Sequence, residues 1–135
     1  MPLFSLPLQV RDYECDLQGI VNNAVYQHYL EHCRGEFLRQ GLSIGVDDLH
    51  EQGVDTVVAR LTMEFKRPLL PNDHFVVHLN LRKERIKYIF DQEIRRASDD
   101  ALCLRAETTV VCRIHGKLGQ WQALDALLPP TQNQQ

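Results

Sequence analysis

Only one stretch of this chain carries helical periodicity over several turns, and nearly everything after it alternates like strand. Tyr26, Leu30, Cys33 and Phe37 fall at i, i+4, i+7 and i+11, and Val21, Val25 and Tyr29 broaden the stripe. A helix with so wide an apolar face must be covered along its length. Asn22 or Asn23 is suited to cap its start, and Gly41 is placed to end it after Arg39 and Gln40. A short second helix is expected over 47–52, within the less regular stretch 43–53.

The remaining pattern has a period of two. Phe4, Leu6, Leu8 and Val10 alternate with polar residues before the helix, and Pro7 among them points to an edge strand or a bulge. After the helix, Val57, Ala59, Leu61, Met63 and Phe65 form one apolar row. Phe75, Val77, Leu79 and Leu81 form a second, and Tyr88, Phe90, Gln92 and Ile94 a third. The longest runs from Leu102 through Leu104, Ala106, Thr108, Val110 and Cys112 to Ile114, and 118–124 reads as a last short strand after a turn at Gly116. Turn-like breaks at 68–73, 83–86 and 97–100 are short, so neighbouring strands run antiparallel. The expectation is an α+β layer: one long central helix and a curved antiparallel sheet of five or six strands. A sheet of that size has a second face and free edges, which predicts dimerisation through one of them.

The length of 135 residues suits one domain, over 1–128, with 129–135 as a frayed polar tail. Hydrophobic residues at 44% and charged residues at 24% match a packed globular chain. Fifteen basic against eighteen acidic side chains, net −3, argue against a dedicated nucleic-acid binder. No apolar stretch has the length of a membrane span, and the first residues lack the pattern of a secretory signal. A cytoplasmic location is therefore expected, with Cys15, Cys33, Cys103 and Cys112 as reduced and mostly buried thiols.

Chemistry concentrates in the loop before the helix. Asp16 and Gly19 precede a helix start, where free backbone N–H groups and the positive end of the dipole can hold a developing anion. A carboxylate beside such a terminus suits attack on an acyl carbonyl. The competing reading makes Asp16 an Asx-turn residue and Gly19 a permissive backbone position.

A second motif, His28-Tyr29-Leu30-Glu31-His32, spells the inverted zinc-protease pattern, and residues four apart share a helical face. Those proteases need a third ligand on another helix, and no second long helix is expected. Arg82, Lys83, Arg85 and Lys87, with Arg67, are basic enough to meet the phosphates of a nucleotide, or simply to solvate a turn.

The run Asp16-x-x-Gly19-x-Val21-x-Asn23-x-x-Tyr26, followed by Tyr29, Glu31 and Arg34, resembles the signature of the hotdog-fold acyl-CoA thioesterases of the 4-hydroxybenzoyl-CoA thioesterase-like family. Downstream, Glu64-Phe65-Lys66-Arg67-Pro68 and Asn72-Asp73 resemble that family's strand end and following turn. The likeness extends over 6–124. It implies a hotdog fold, with the helix as sausage and the sheet as bun.

It also implies an acyl-CoA thioesterase that yields free acid and CoA without metal or cofactor. By position, Asp16 would be nucleophile or general base, and the backbone N–H near Asn23 would polarise the thioester carbonyl. Gly19, Val21, Tyr26, Arg67 and Arg85 would contact substrate. The turn would require a left-handed Asn72. The site would lie across a subunit interface, in a homodimer or homotetramer. The alternatives are a non-catalytic hotdog dimer that binds an acyl thioester or a protein partner, and a thioesterase acting on acyl carrier protein.

Overall fold

The computed structural model describes residues 1–42 and 46–130. Six strands form one antiparallel sheet: β1 (Phe4–Gln9), β2 (Val54–Phe65), β3 (His74–Glu84), β4 (Lys87–Arg96), β5 (Leu102–Ile114) and β6 (Lys117–Gly119). Their order is β1-β3-β4-β5-β2, with β6 pairing β5. The long helix α1 (Asn23–Leu42) enters between β1 and β2, and two single turns follow, α2 (Val46–Leu49) and α3 (Gln122–Asp125).

The apolar stripe of α1 is buried as its spacing predicts: Tyr26, Tyr29, Leu30, Cys33, Phe37 and Leu38 all lie inside. Four ring contacts show how far the sheet reaches around it. Phe37 meets Phe4 of β1 and Phe90 of β4, Tyr29 meets Phe75 of β3, and Tyr26 meets Phe65 of β2. One helix therefore touches strands from one edge of the sheet to the other. The outer face is charged instead, with Arg82 of β3 bridging Glu84, Asp91 of β4 and Glu107 of β5.

Pro7 lies on β1, an edge strand, where its missing N–H costs no ladder bond. The four cysteines are free; three are buried and Cys15 is partly so. Among the described residues no helix is long and apolar enough to cross a membrane.

Four local expectations change. The helix does not stop before Gly41 but continues to Leu42. Gly41 is a packing position, because a Cβ there would come within 2.8 Å of Leu127. The second helix is the single turn Val46–Leu49, with the chain turning from His50 to Gly53; residues 43–45 and 131–135, the latter most of the expected tail, lie outside the described residues.

The last segment is strand only to Gly119 and then becomes α3. Its clamp explains why: the Tyr88 hydroxyl accepts the Trp121 N–H at 2.9 Å and donates to Asp125 at 2.7 Å, which pins α3 onto β4. Tyr88→Phe should strand that buried amide and cost about 1–3 kcal/mol in urea unfolding.

The fourth change concerns β2. Alternation predicts Val57 and Ala59 on the helix side, but the pairing with β5 slips between Val58 and Arg60. Ala59 is the extra residue of a bulge. Before it, Val54, Thr56 and Val58 take the inner side; after it, Leu61, Met63 and Phe65 do. Val57 is left 43% exposed on the outer side.

Candidate functional site

The chain between β1 and α1 is a tight loop tied at both ends. Cys15 and Val21 form an antiparallel bridge, and inside it the Asp16 N–H donates to the Ile20 carbonyl at 2.9 Å. The Gly19 N–H returns to the Asp16 carbonyl at 3.0 Å. This turn needs a left-handed residue, and Gly19 supplies φ of +78°. Apart from its chain neighbours, no atom of the described residues lies within 4 Å of where its Cβ would be, so the space above it is open. The exposed Asp16 carboxylate accepts the Gln18 N–H through Oδ1 at 2.9 Å, an Asx turn. One carboxylate oxygen is thus anchored, and the other has no partner among the described residues.

Asn22, rather than Asn23, caps α1: its Oδ1 accepts the Ala24 N–H at 2.9 Å and its carbonyl the Val25 N–H at 2.9 Å. The Val21 amide donates to Leu69 and the Asn22 amide to Glu14, each at 3.0 Å. The Asn23 amide alone in this run has no acceptor among the described residues, and it lies at the positive end of a 20-residue helix.

Beneath this exposed layer is a buried frame. The Tyr26 hydroxyl accepts the Leu69 N–H at 2.9 Å, and its ring sits edge-on to both Tyr29 and Phe65. The Tyr29 hydroxyl donates to Glu14 at 2.8 Å, and the same carboxylate oxygen accepts the Arg11 N–H at 2.7 Å. Burial is the chief cause that raises the pKa of both phenols, and the Glu14 hydrogen bond adds to it at Tyr29.

From the sheet, Arg96 of β4 reaches across to the segment after β2, donating to the Pro68 carbonyl at 2.8 Å and pairing with Asp73 at 3.3 Å. Asn72 is left-handed there, with φ of +69°, as the turn requires. Three segments, 11–21, 22–26 and 66–73, are thus locked together at one end of the sheet.

The chain as a whole has known relatives in sequence and in fold. The model of the thioesterase-like superfamily matches residues 10–130. The chain belongs to the thioesterase-like superfamily.

It is 34% identical over 107 residues, 78% of its own length, to a chloroplastic acyl-acyl carrier protein thioesterase of Arabidopsis thaliana. It spans between 36% and 56% of the length of the Arabidopsis relatives of that name that it matches. A hypothetical protein of Aquifex aeolicus superposes with a TM-score of 0.84 at 30% identity, over 93% of this chain and 99% of that one. A 1,4-dihydroxy-2-naphthoyl-CoA thioesterase of Synechocystis reaches the same TM-score at 19% identity, over 93% and 94%, which is a likeness of fold. The helix-in-sheet arrangement is the hotdog fold that the sequence resemblance implied.

Against this thioesterase-like frame, the expected site residues separate into layers. Asp16, Gly19 and Asn23 are exposed at the loop and helix start. Val21 and Tyr26 are 1% and 3% exposed, so they hold the loop rather than line an open surface. Arg67 is exposed on the same end, just past β2.

Arg85 is not with them. It occupies the left-handed position of the β3–β4 turn, with φ of +58°, at the far end of β3 from His74. Ten residue-to-residue steps of strand separate the two ends, about 33 Å. Of its basic neighbours, Arg82 and Lys83 are held in ion pairs with Asp91 and Asp125. His28, Glu31 and His32 are exposed on α1, and no cluster of three or more metal-ligating side chains occurs among the described residues.

Sequence reasoning missed a polar cluster inside the fold. Arg34 donates to Gln92 Oε1 at 3.1 Å and to Thr108 Oγ1 at 3.3 Å, and Gln92 donates to the Leu30 carbonyl at 3.1 Å. The available signal was Gln92 itself, a polar residue in the inward row of β4. Thr108 looked like an ordinary strand former.

The frame makes a checkable claim about positioning. Tyr26→Phe should leave the buried Leu69 amide unpaired, cost about 1–3 kcal/mol of stability and loosen residues 66–73. Faster hydrogen exchange at Leu69 and its neighbours than in the wild type would register this; unchanged exchange there would refute it.

Proposed function

We propose that this chain hydrolyses an acyl thioester to the free acid and the thiol, with Asp16 and the Asn23 backbone amide as the reacting pair. In this reading the Asn23 N–H and the helix dipole stabilise the oxyanion that forms when the thioester carbonyl is attacked. A donor of this kind contributes about 10²–10³ in rate. The free oxygen of Asp16 either attacks the carbonyl carbon, expelling the thiolate and leaving a mixed anhydride that water cleaves, or takes a proton from the attacking water. The observation that carries this reading is one exposed carboxylate oxygen and one unpaired helix-terminal amide on a single braced loop.

The thiol is that of coenzyme A or of acyl carrier protein. The names of the Synechocystis and Arabidopsis proteins give one carrier each. Arg67 stands on the rim in either case.

The site is completed by a second copy. β2 is a 12-residue edge strand, bonded among the described strands only to β5, and it exposes Val57, Val58 and Phe65 at 43%, 51% and 50%. An uncovered apolar edge of that length is a pairing surface. Two β2 strands related by a two-fold axis run antiparallel, so each brings its far end beside its partner's Asp16 end. In this reading Arg85 serves a site from the other subunit. A tetramer would add contacts between such dimers.

Thiol release from a panel of acyl-CoA and acyl-carrier-protein substrates tests the reading. Turnover on either carrier is expected. A folded dimer that binds these thioesters and hydrolyses none would make it a binding module instead.

A further inference from the structure

Arg34 lies eleven residues after Asn23, about 16 Å along α1 and within about 20° of the same helical face. Between them on that face stand the exposed Gln27 and Glu31. The stripe borders the β2 edge, with Phe65 against Tyr26 at one end and Thr56 and Val58 near Arg34 at the other.

At the Arg34 end the surface deepens into a cavity of about 300 Å³, walled chiefly by Leu38, Val58, Phe90, Val110 and Leu124, with Glu31 and Arg34 as its charged groups. At the roughly 30 Å³ that a water occupies in the liquid, this is room for about ten non-hydrogen atoms.

A guanidinium is an odd wall for such a cavity. Burial works against its charge and lowers its pKa, while nearby Glu31 partly offsets that. Its Nη1 is satisfied by two neutral, buried acceptors, Gln92 and Thr108, which are 1% and 0% exposed. No carboxylate pairs with it within 4.0 Å among the described residues. Packing alone would be served by another apolar residue, as at Leu30 and Phe37. Here β4 and β5 spend two buried polar side chains on aiming a cation.

We propose that the cavity receives the distal part of the acyl group, and that Arg34 selects chains carrying a hydroxyl remote from the thioester. This rests on the thioesterase reading above. A hydroxyl accepts from Arg34 and donates to Glu31, so it satisfies both charged groups at once. A terminal carboxylate would gain the first contact and be repelled by the second. A plain hydrocarbon end leaves Arg34 desolvated without a new partner, which is the costly asymmetry of buried polar groups.

The test compares kcat/KM for decanoyl-CoA, 10-hydroxydecanoyl-CoA and the ω-carboxy analogue in the dimer. The hydroxylated substrate should be favoured about 10–100-fold over decanoyl-CoA, the range of one charge-assisted hydrogen bond. Arg34→Met should bring that ratio to within about threefold of one, and Arg34→Lys should restore part of it. Thr108→Val, which removes one aiming contact, should lower the ratio without abolishing it, and it serves if Arg34→Met fails to fold.

Equal wild-type rates on the first two substrates, or a ratio unchanged in Arg34→Met, would overturn the assignment. A preference for the carboxylated chain would overturn the hydroxyl reading. Calorimetric binding of the free acids separates this from a failure of the thioesterase reading. Tighter binding of 10-hydroxydecanoate than of decanoate, lost in Arg34→Met, supports the subsite even in a chain that hydrolyses nothing; equal binding rejects it.

Discussion

Asp16→Asn should nearly abolish thiol release while leaving the fold intact. The substitution is conservative for structure: asparagine keeps a carbonyl oxygen where Oδ1 accepts the Gln18 N–H, so the Asx turn and the Gly19 turn beneath it persist. It removes only the charge and the basicity.

The size of the loss separates the two chemical roles. Losing a general base costs about 10²–10⁴ in rate. Losing a nucleophile costs up to about 10⁶, because the covalent route closes entirely. Single-turnover measurements on a thioester that the wild type cleaves well would read this directly. Turnover equal to the wild type would reduce Asp16 to the turn residue that its Gln18 contact already makes it, and the proposed mechanism would fall with it.

The second large effect is expected at the edge strand. Val57→Asp combined with Val58→Asp places carboxylates along β2 in both copies, where two-fold pairing would bring them together. Like charges at an interface cost several kcal/mol, so dimer dissociation should strengthen by about two to four orders of magnitude. Light scattering should then give a species of 15.7 kDa at concentrations where the wild type has twice that mass.

Thiol release should disappear in parallel, because the site along the β2 edge would lose the part that the second copy supplies. A dimer that survives the double substitution would move the interface off β2. A monomer with full activity would show that one chain builds the whole site, and it would remove any role for the partner's end of the sheet.

The residues differ in how plainly the linear sequence marked them. The stripe Tyr26, Leu30, Cys33 and Phe37 and the alternating rows on β3, β4 and β5 were legible because a period of 3.6 or 2 is a local property. Where the backbone is regular, burial follows from it. The Asp16–Gly19 loop was legible for a similar reason. A tight turn confines its requirements to a few adjacent residues, so motif and conformation coincide, and the left-handed Asn72 likewise follows from its own turn.

Reading failed where a contact comes from far along the chain. Gly41 looked like a helix stop because the Leu127 side chain that occupies its missing Cβ lies 86 positions away. The bulge at Ala59 is set by register against β5, and alternation alone therefore put Val57 where Val58 belongs.

The sequence by itself determined one helix, an antiparallel sheet and a loop with a carboxylate before a helix terminus, because periodicity and turn chemistry are local. Only the tertiary structure decided which of the named residues share a place. It buried Val21 and Tyr26 beneath the Asp16 loop rather than on its surface. It carried Arg85 to the opposite end of the sheet, and it gathered Arg34, Gln92 and Thr108 from three elements into one buried cluster. Those outcomes depend on strand order and register, which bring together residues separated by 58 and 74 positions and leave no periodic trace in the chain.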